Sequence, residues 1–148
     1  MTYNKIRVHG VQTMKNEFFC AFTVLNFDCD PDEITAFVGV TPSKVWKKGD
    51  LIYPNASICH KQNGWTIKSE LDNSIELSKH IESVFNKIEN NWKSFVKICC
   101  KYYSELECTI YIYDEDNRPT ISFEKKLVKK LAQLNAEIDV DLYILSED

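Results

Sequence analysis

The chain has few of the residues that build common catalytic motifs. Its four glycines lie at positions 10, 39, 49 and 64, too far apart to form a phosphate-cradling loop. The three histidines are scattered, and no CxxC or HExxH spacing occurs, so we expect no metal site and no cofactor. Because the nucleophile elbow and the compact Cys–His pattern are missing too, no residue is predicted to be catalytic.

Long apolar runs and a strong charge of one sign are also absent. No uncharged apolar stretch approaches the roughly 18 residues that a membrane span needs. Residues 1–8 have no hydrophobic signal core. We therefore expect a soluble, cytoplasmic protein without a membrane partner. The formal net charge of −4 argues against nucleic acid as a partner as well.

Cysteine is present, but not in the pattern of a disulfide-stapled domain. The six cysteines lie mostly inside apolar runs, at positions 20, 29, 59, 99, 100 and 108. In an untargeted chain of this size we expect them to be reduced and largely buried.

The apolar periodicity predicts an α+β fold with a single domain at residues 17–148, preceded by residues 1–16 as an arm or an edge strand. Residues 17–27 are apolar on both faces, which is typical of a central strand. Further strands are predicted at 106–113 and 137–145. In the last strand the side chains predicted to face inward are Ile138, Val140, Leu142 and Ile144.

The helices are marked by their ends and by their apolar stripes. Asp30 as cap, Pro31 and Glu33 begin a short helix that Gly39 ends, which explains most of the acidity around Asp28. An apolar stripe from Leu77 to Tyr102 indicates two consecutive helices broken at 90–91, one long bent helix being the alternative. A last helix is predicted to be capped by Ser122, with Leu127, Leu131 and Leu134 facing the core.

The strands are expected to form a mostly antiparallel sheet with the helices packed on it. The Asn63-Gly64 pair predicts a hairpin that joins residues 56–60 to 65–69. Strand, acidic turn and helix occur twice, at 17–39 and 106–134, so two ferredoxin-like βαβ-type halves are one form that the fold could take.

Two groups of residues are candidates for binding. Asp139 and Asp141 share one face of the last predicted strand, about 6 to 7 Å apart. Tyr143 follows two residues further on, and if that strand neighbours 106–113, Tyr111 and Tyr113 join these residues in a polar, aromatic sheet face suited to a ligand. The alternatives are a merely solvated outer face and an acid–base pair of aspartates.

The second candidate is the loop that contains Trp46, Lys47, Lys48 and Asp50. A tryptophan beside two lysines could stack on a ring and hold an anion or an acidic partner, with Trp65 as its neighbour on the same surface. Equally, Trp46 could fold back over the sheet while the lysines stay in water.

Several motifs resemble one family of uncharacterised bacterial proteins, domain of unknown function 4279. They are FDxDPDEIT at 27–35, GxTPS at 39–43, WKKGD at 46–50, Trp65, and NAEIDVDLY at 135–143. The resemblance spans residues 17–145 and implies a small intracellular bacterial α+β protein. It carries no established activity, so it transfers no catalytic residue to this chain.

The sequence thus favours a non-enzymatic binding or protein-interaction module for a protein or small-molecule ligand. An immunity protein that neutralises a basic toxin is one special case. The alternatives are a small enzyme that uses Asp139 and Asp141, and a structural subunit of a homo-oligomer. The oligomeric state stays open at this point.

Overall fold

A five-stranded sheet organises the molecule. The structure is a computed structural model that describes residues 5–8 and 11–145, with side chains from residue 14 onward. The order of the strands across the sheet is β4-β5-β3-β6-β7, antiparallel except for the parallel pair β6 and β7. These strands are β3 (Glu17–Leu25), β4 (Lys44–Trp46), β5 (Gly64–Lys68), β6 (Tyr103–Ile112) and β7 (Glu137–Ile144). The predicted α+β class with a mostly antiparallel sheet is confirmed.

The amino-terminal stretch forms a small ladder of its own. Strands β1 (Lys5–Val8) and β2 (Val11–Met14) pair antiparallel in a two-stranded sheet that is separate from the main one. The prediction of an arm or an edge strand covered residues 1–16, of which 1–4, 9 and 10 lie outside the described residues.

Four helices pack on one face of the sheet. They are α1 (Pro31–Val38), α2 (Leu77–Glu89), α3 (Trp92–Lys101) and α4 (Lys125–Gln133). The core lies between them and the even-numbered side chains of β3 and β6, with Phe22 in edge-to-face contact with Phe95 of α3. Among the described residues, no helix has the length and apolar character required to cross a membrane.

Helix α1 begins and ends as predicted. Asp30 accepts a hydrogen bond from the backbone N–H of Asp32 at 2.9 Å, and Glu33 Oε2 accepts one from the N–H of Asp30 at 2.9 Å. This reciprocal pair satisfies N–H groups that the first helical turn leaves without partners. Gly39 ends the helix with φ 69°, a conformation that costs glycine little.

The prediction that two consecutive helices, and not one long bent helix, cover residues 77–101 is confirmed. Helix α2 ends at Glu89, and α3 begins at Trp92 after Asn91 has left the helical conformation with φ −123°. The predicted stripe supplies the buried face of both helices, including Ile81, Val84 and Phe85 in α2.

The predicted hairpin at Asn63-Gly64 is wrong. Residues 56–60 form no strand but only an isolated bridge between Leu51 and Cys59, and β5 pairs instead with β4. Asn63 is held away from a turn because its amide donates to the Phe27 carbonyl at 2.7 Å and its oxygen accepts from the Lys48 N–H at 2.8 Å. The Trp46 ring lies over Gly64, where a Cβ would come within 1.9 Å of Trp46 Cε2.

Two further predictions need correction in the last third of the chain. Ser122 does not cap α4, which begins after Glu124 without a side-chain cap. The side chains of β7 are not buried as predicted: Ile138, Leu142 and Ile144 are 38%, 50% and 62% exposed. They point to the helical side of the sheet, but β7 is the edge strand and α4 directs Leu131 and Leu134 into the core further inward.

The second half of the chain contains a βαβ unit, β6–α4–β7, with its two strands parallel. In the first half the strand after α1 is β4, which pairs with β5 rather than with β3, so that half is not a βαβ unit. The helix between the parallel strands is the usual form of such a crossover.

All six cysteines are free, and three of them are buried: Cys20, Cys99 and Cys108. Cys29 is partly buried, while Cys59 and Cys100 are exposed, so the expectation of largely buried thiols holds for half of them. Cys20 and Cys108 lie opposite each other on β3 and β6, and their hydrogen bond together with burial raises the pKa of the Cys20 thiol. Burial raises the pKa of Cys99 to about 11.

Candidate binding face

The sheet face opposite the helices is rich in acid. The register of β6 and β7 places Glu105 beside Glu137, Glu107 beside Asp139, and Thr109 beside Asp141. Since successive residues of a strand point to opposite faces, the five carboxylates share the face that the helices do not cover. We call these five the acidic ladder: Glu105, Glu107, Glu137, Asp139 and Asp141.

The acidic ladder has no cationic partner among the described side chains. None of the ion pairs between residues 14 and 145 involves any of its five carboxylates. The Tyr103 hydroxyl lies 2.7 Å from Glu105 Oε2 and 2.8 Å from Glu137 Oε2, so its single proton serves two carboxylates. The bond to Glu105 in particular raises the pKa of Tyr103. Among the described side chains, the donor that holds Glu105 and Glu137 together is therefore a neutral hydroxyl and not a cation.

Burial and the neighbouring carboxylates raise the pKa of Glu107. Partial burial, a hydrogen bond shared with Glu105 and the charges of Glu105 and Asp139 raise the pKa of Glu107 to about 7, against an opposing hydrogen bond from Thr23. This carboxyl is therefore about half protonated at neutral pH. A cation that approaches it would favour the ionised form and drive the proton off.

Aromatic rings continue the same face beyond the acidic ladder. Tyr111 and Tyr143 are neighbours across β6 and β7, with ring centroids 5.0 Å apart and planes 15° from parallel. Tyr113 stacks on Tyr111 at 6.4 Å, and Phe19 of β3 meets Tyr111 edge-on at 5.9 Å. These four rings form a row that we call the tyrosine row.

The predicted ligand face required the last strand to lie beside the strand at 106–113, and β6 and β7 are neighbours. Tyr111, Asp139, Asp141 and Tyr143 lie on the sheet face opposite the helices, Tyr111 half-buried and the other three exposed. Their role in binding stays a prediction.

The Trp46 loop is a separate feature. Trp46 lies on the same sheet face but at the opposite edge, in β4, and its ring stacks on His60 with centroids 4.8 Å apart. Three strands separate β4 from β7, which places the two groups roughly 20 Å apart at the usual strand spacing. The two candidate groups therefore do not form one site.

The polar residues of the Trp46 loop are engaged in holding the loop. Lys47 Nζ donates to Asp30 Oδ2 at 2.8 Å, which lowers the pKa of that carboxyl, and the Lys47 N–H donates to Asp50 Oδ2 at 2.8 Å. Lys48 bonds through its backbone to Asn63. This geometry fits the alternative in which the tryptophan folds back over the sheet.

Trp65 lies on the other side of the sheet. Its side chain is fully buried, and the indole N–H donates to Thr35 Oγ1 of α1 at 2.9 Å. The predicted surface shared with Trp46 is therefore wrong: the period-two alternation of β5 directs Trp65 into the core, opposite the strand face on which Trp46 lies.

Sequence reasoning missed four members of the face: Tyr103, Glu105, Glu107 and Glu137. A signal for them was present. Leu106, Cys108 and Ile110 alternate along the strand predicted at 106–113, so the residues between them belong to the other face. The sequence could not supply the parallel register that aligns these residues with β7.

A groove lies on the helical side of the sheet. It has a volume of about 780 Å³ and lies between α2 and residues 119–127, with Phe18 and Ile110 of the sheet among its lining residues. Lys130 of α4 forms an ion pair with Glu89 of α2 at its rim. Within residues 14–145, no group of three or more histidine, cysteine, aspartate or glutamate side chains is arranged to hold a metal ion.

The fold and the face define a single-domain α+β protein that has helices on one side of a mixed sheet and an acidic, tyrosine-bearing surface on the other. The chain belongs to the family described as Domain of unknown function (DUF4279), whose model matches residues 16–145. The resemblance seen in the sequence is thereby confirmed. No curated protein and no solved structure matches the chain.

Proposed function

We propose that this protein is a non-enzymatic binding module that takes a basic protein surface on the acidic ladder and the tyrosine row. The single observation that carries the proposal is the alignment of five carboxylates on the sheet face opposite the helices, without an ion pair to any described lysine or arginine. A partner that presents lysines or arginines at strand spacing supplies the missing countercharges.

The chemistry of the face suits such a partner in two ways. Clustered negative charge steers a basic protein toward the face and favours one orientation over others. The tyrosine row adds rigid aromatic area beside the charges, against which guanidinium and ammonium groups pack favourably. Charge selects the partner, and the rings add buried area.

The shape of the face favours binding over catalysis. Asp139 and Asp141 are exposed residues of an edge strand, whereas active sites are usually concave and exclude water. The alternative of a paired-aspartate enzyme therefore has less support. An immunity protein that neutralises a basic bacterial toxin would be one form of the proposed module.

The test is a comparison of two triple variants that each replace three acidic residues. The first is Glu105→Gln, Glu107→Gln and Asp139→Asn in the acidic ladder. The control is Glu76→Gln, Glu82→Gln and Glu124→Gln on the helical side. The probe is a synthetic peptide of alternating lysine and valine, and the measurement is its dissociation constant by fluorescence anisotropy.

We expect the ladder variant to bind the probe roughly 10- to 100-fold more weakly, at about 0.5 to 1 kcal/mol for each charge contact. The control variant should stay within about threefold of the unmodified protein, because only long-range attraction is reduced. The affinity of the unmodified protein should also fall as salt is raised. Equal losses in the two variants would refute the proposal.

A further inference from the structure

The unpaired edge of β7 is the part of the face that no described residue completes. We propose that β7 accepts an extended segment of the basic partner as a sixth strand, so that recognition occurs by addition to the sheet. This inference rests on the proposed function, because the charge of the acidic ladder determines which strand is accepted.

The backbone of β7 offers hydrogen bonds along its outer edge. Leu145 donates its N–H to the Ile112 carbonyl at 2.8 Å, at the end of the parallel ladder between β6 and β7. In such a ladder alternate residues bond to the neighbouring strand. The odd-numbered residues of β7 thus bond to β6, and the groups directed outward are the N–H and C=O of Ile138, Val140, Leu142 and Ile144.

The two faces of β7 have opposite chemistry. On the open face it presents Glu137, Asp139 and Asp141. On the helical side Leu142 and Ile144 are 50% and 62% exposed, which is unusual for large apolar side chains that point toward a core. Val128 of α4, on the same side of the sheet, is 53% exposed as well.

These two faces specify the added strand. It needs lysine or arginine at alternate positions, to meet the carboxylates, and apolar residues between them, to cover Leu142 and Ile144. Strand addition of this kind gains main-chain hydrogen bonds from the backbone and specificity from alternate side chains. A second copy of this chain fits poorly, because pairing β7 with itself would bring two acidic ladders onto one continuous face.

Hydrogen exchange provides a direct test in the unmodified protein. The probes are the alternating lysine–valine peptide and a peptide of equal composition in which all lysines precede all valines. With the alternating peptide at about ten times its dissociation constant, we expect roughly tenfold slower exchange at the amides of Ile138, Val140, Leu142 and Ile144. The amides of Asp139 and Asp141, already bonded to β6, should change little.

The two peptides separate failure of this inference from failure of the proposed function. If both bind with equal affinity and leave exchange at the β7 edge unchanged, the acidic ladder binds cations without strand addition and the inference is overturned. If neither peptide binds, the proposed function fails and the inference fails with it. Light scattering of the protein alone adds one outcome: a dimer with those amides already protected would assign the edge to a second copy and overturn the inference.

A pair of variants at one position tests the backbone contact. Leu142→Pro removes an outward N–H, which an edge strand tolerates because that group does not bond to β6. Leu142→Val keeps the N–H and an apolar side chain. We expect the proline variant to lose at least tenfold in affinity for the alternating peptide and the valine variant to stay within about twofold. Equal affinities in two folded variants would overturn strand addition. If the proline variant unfolds, hydrogen exchange in the unmodified protein tests strand addition instead.

Discussion

Replacing Glu107 with glutamine should stabilise the protein, and it should do so only at neutral and alkaline pH. The carboxyl of Glu107 is partly buried beside the charges of Glu105 and Asp139, and its pKa is raised from 4.5 to about 7. The folded state therefore disfavours the ionised form, and the unfolded chain does not. Glutamine keeps the size of the side chain and an oxygen that accepts from Thr23, but it removes the charge.

The magnitude follows from the shift in pKa. A difference of about 2.5 units corresponds to roughly 3.4 kcal/mol at full effect. Because Glu107 remains partly accessible to water, screening reduces this to about 1 to 2 kcal/mol. The penalty is absent below pH 4.5, grows as pH rises, and is complete above pH 7. In a domain of this size the gain amounts to an increase of about 2 to 8 °C in the midpoint of thermal unfolding.

The assay is thermal unfolding followed by circular dichroism at pH 8 and at pH 5. Glu107→Gln should raise the midpoint at pH 8 and lose most of that gain at pH 5, while Asp141→Asn, an exposed neighbour on the same face, should change little at either pH. An NMR titration of the side-chain carboxyl should give a midpoint near 7, and a lower one after Glu105→Gln. Equal gains at both pH values, or a loss at pH 8, would refute the electrostatic reasoning.

The remaining two predictions concern packing. Gly64→Ala should destabilise the protein by about 1 to 3 kcal/mol, because the new Cβ would lie within 2 Å of the Trp46 ring and force it off His60. In a Trp46→Ala background the same change should cost much less. Equal costs in the two backgrounds, measured by denaturant unfolding, would contradict the clash. Phe95→Ala should cost about 3 to 5 kcal/mol, since Phe95 is fully buried against Phe22 and Trp65. Phe95→Leu is the milder control, and a loss below 1 kcal/mol in the alanine variant would contradict this packing.

Local signals in the sequence were sufficient for the elements whose ends are made by neighbouring residues. The start of α1 needs only Asp30 and Glu33, three residues apart, and its end needs only Gly39. The break between α2 and α3 follows from two asparagines that interrupt an apolar stripe. In each of these the physical cause lies within one or two helical turns, so the sequence contains all of it.

Distant contacts decided the elements that were predicted wrongly. Asn63-Gly64 has the composition of a hairpin turn, yet Asn63 bonds to Phe27 and Gly64 makes room for Trp46. The side chains of β7 that point to the helical side were predicted correctly, but how far they are exposed depends on how far α4 extends over the sheet. The candidate face was predicted in part, since Tyr111 and Tyr143 became neighbours only through a parallel register that no local pattern encodes.

The central position of β3 also has a consequence for the order in which the chain can fold. Its ladder with β6 joins Glu17 to Tyr111 and Leu25 to Tyr103, partners about 80 to 95 residues apart along the chain. During synthesis on a ribosome, β3 must wait for most of the polypeptide to emerge before its longest ladder can form. Until then an apolar strand with Phe18, Phe22 and Val24 has no partner on that side. We therefore expect the nascent chain to depend on chaperones until β6 is complete.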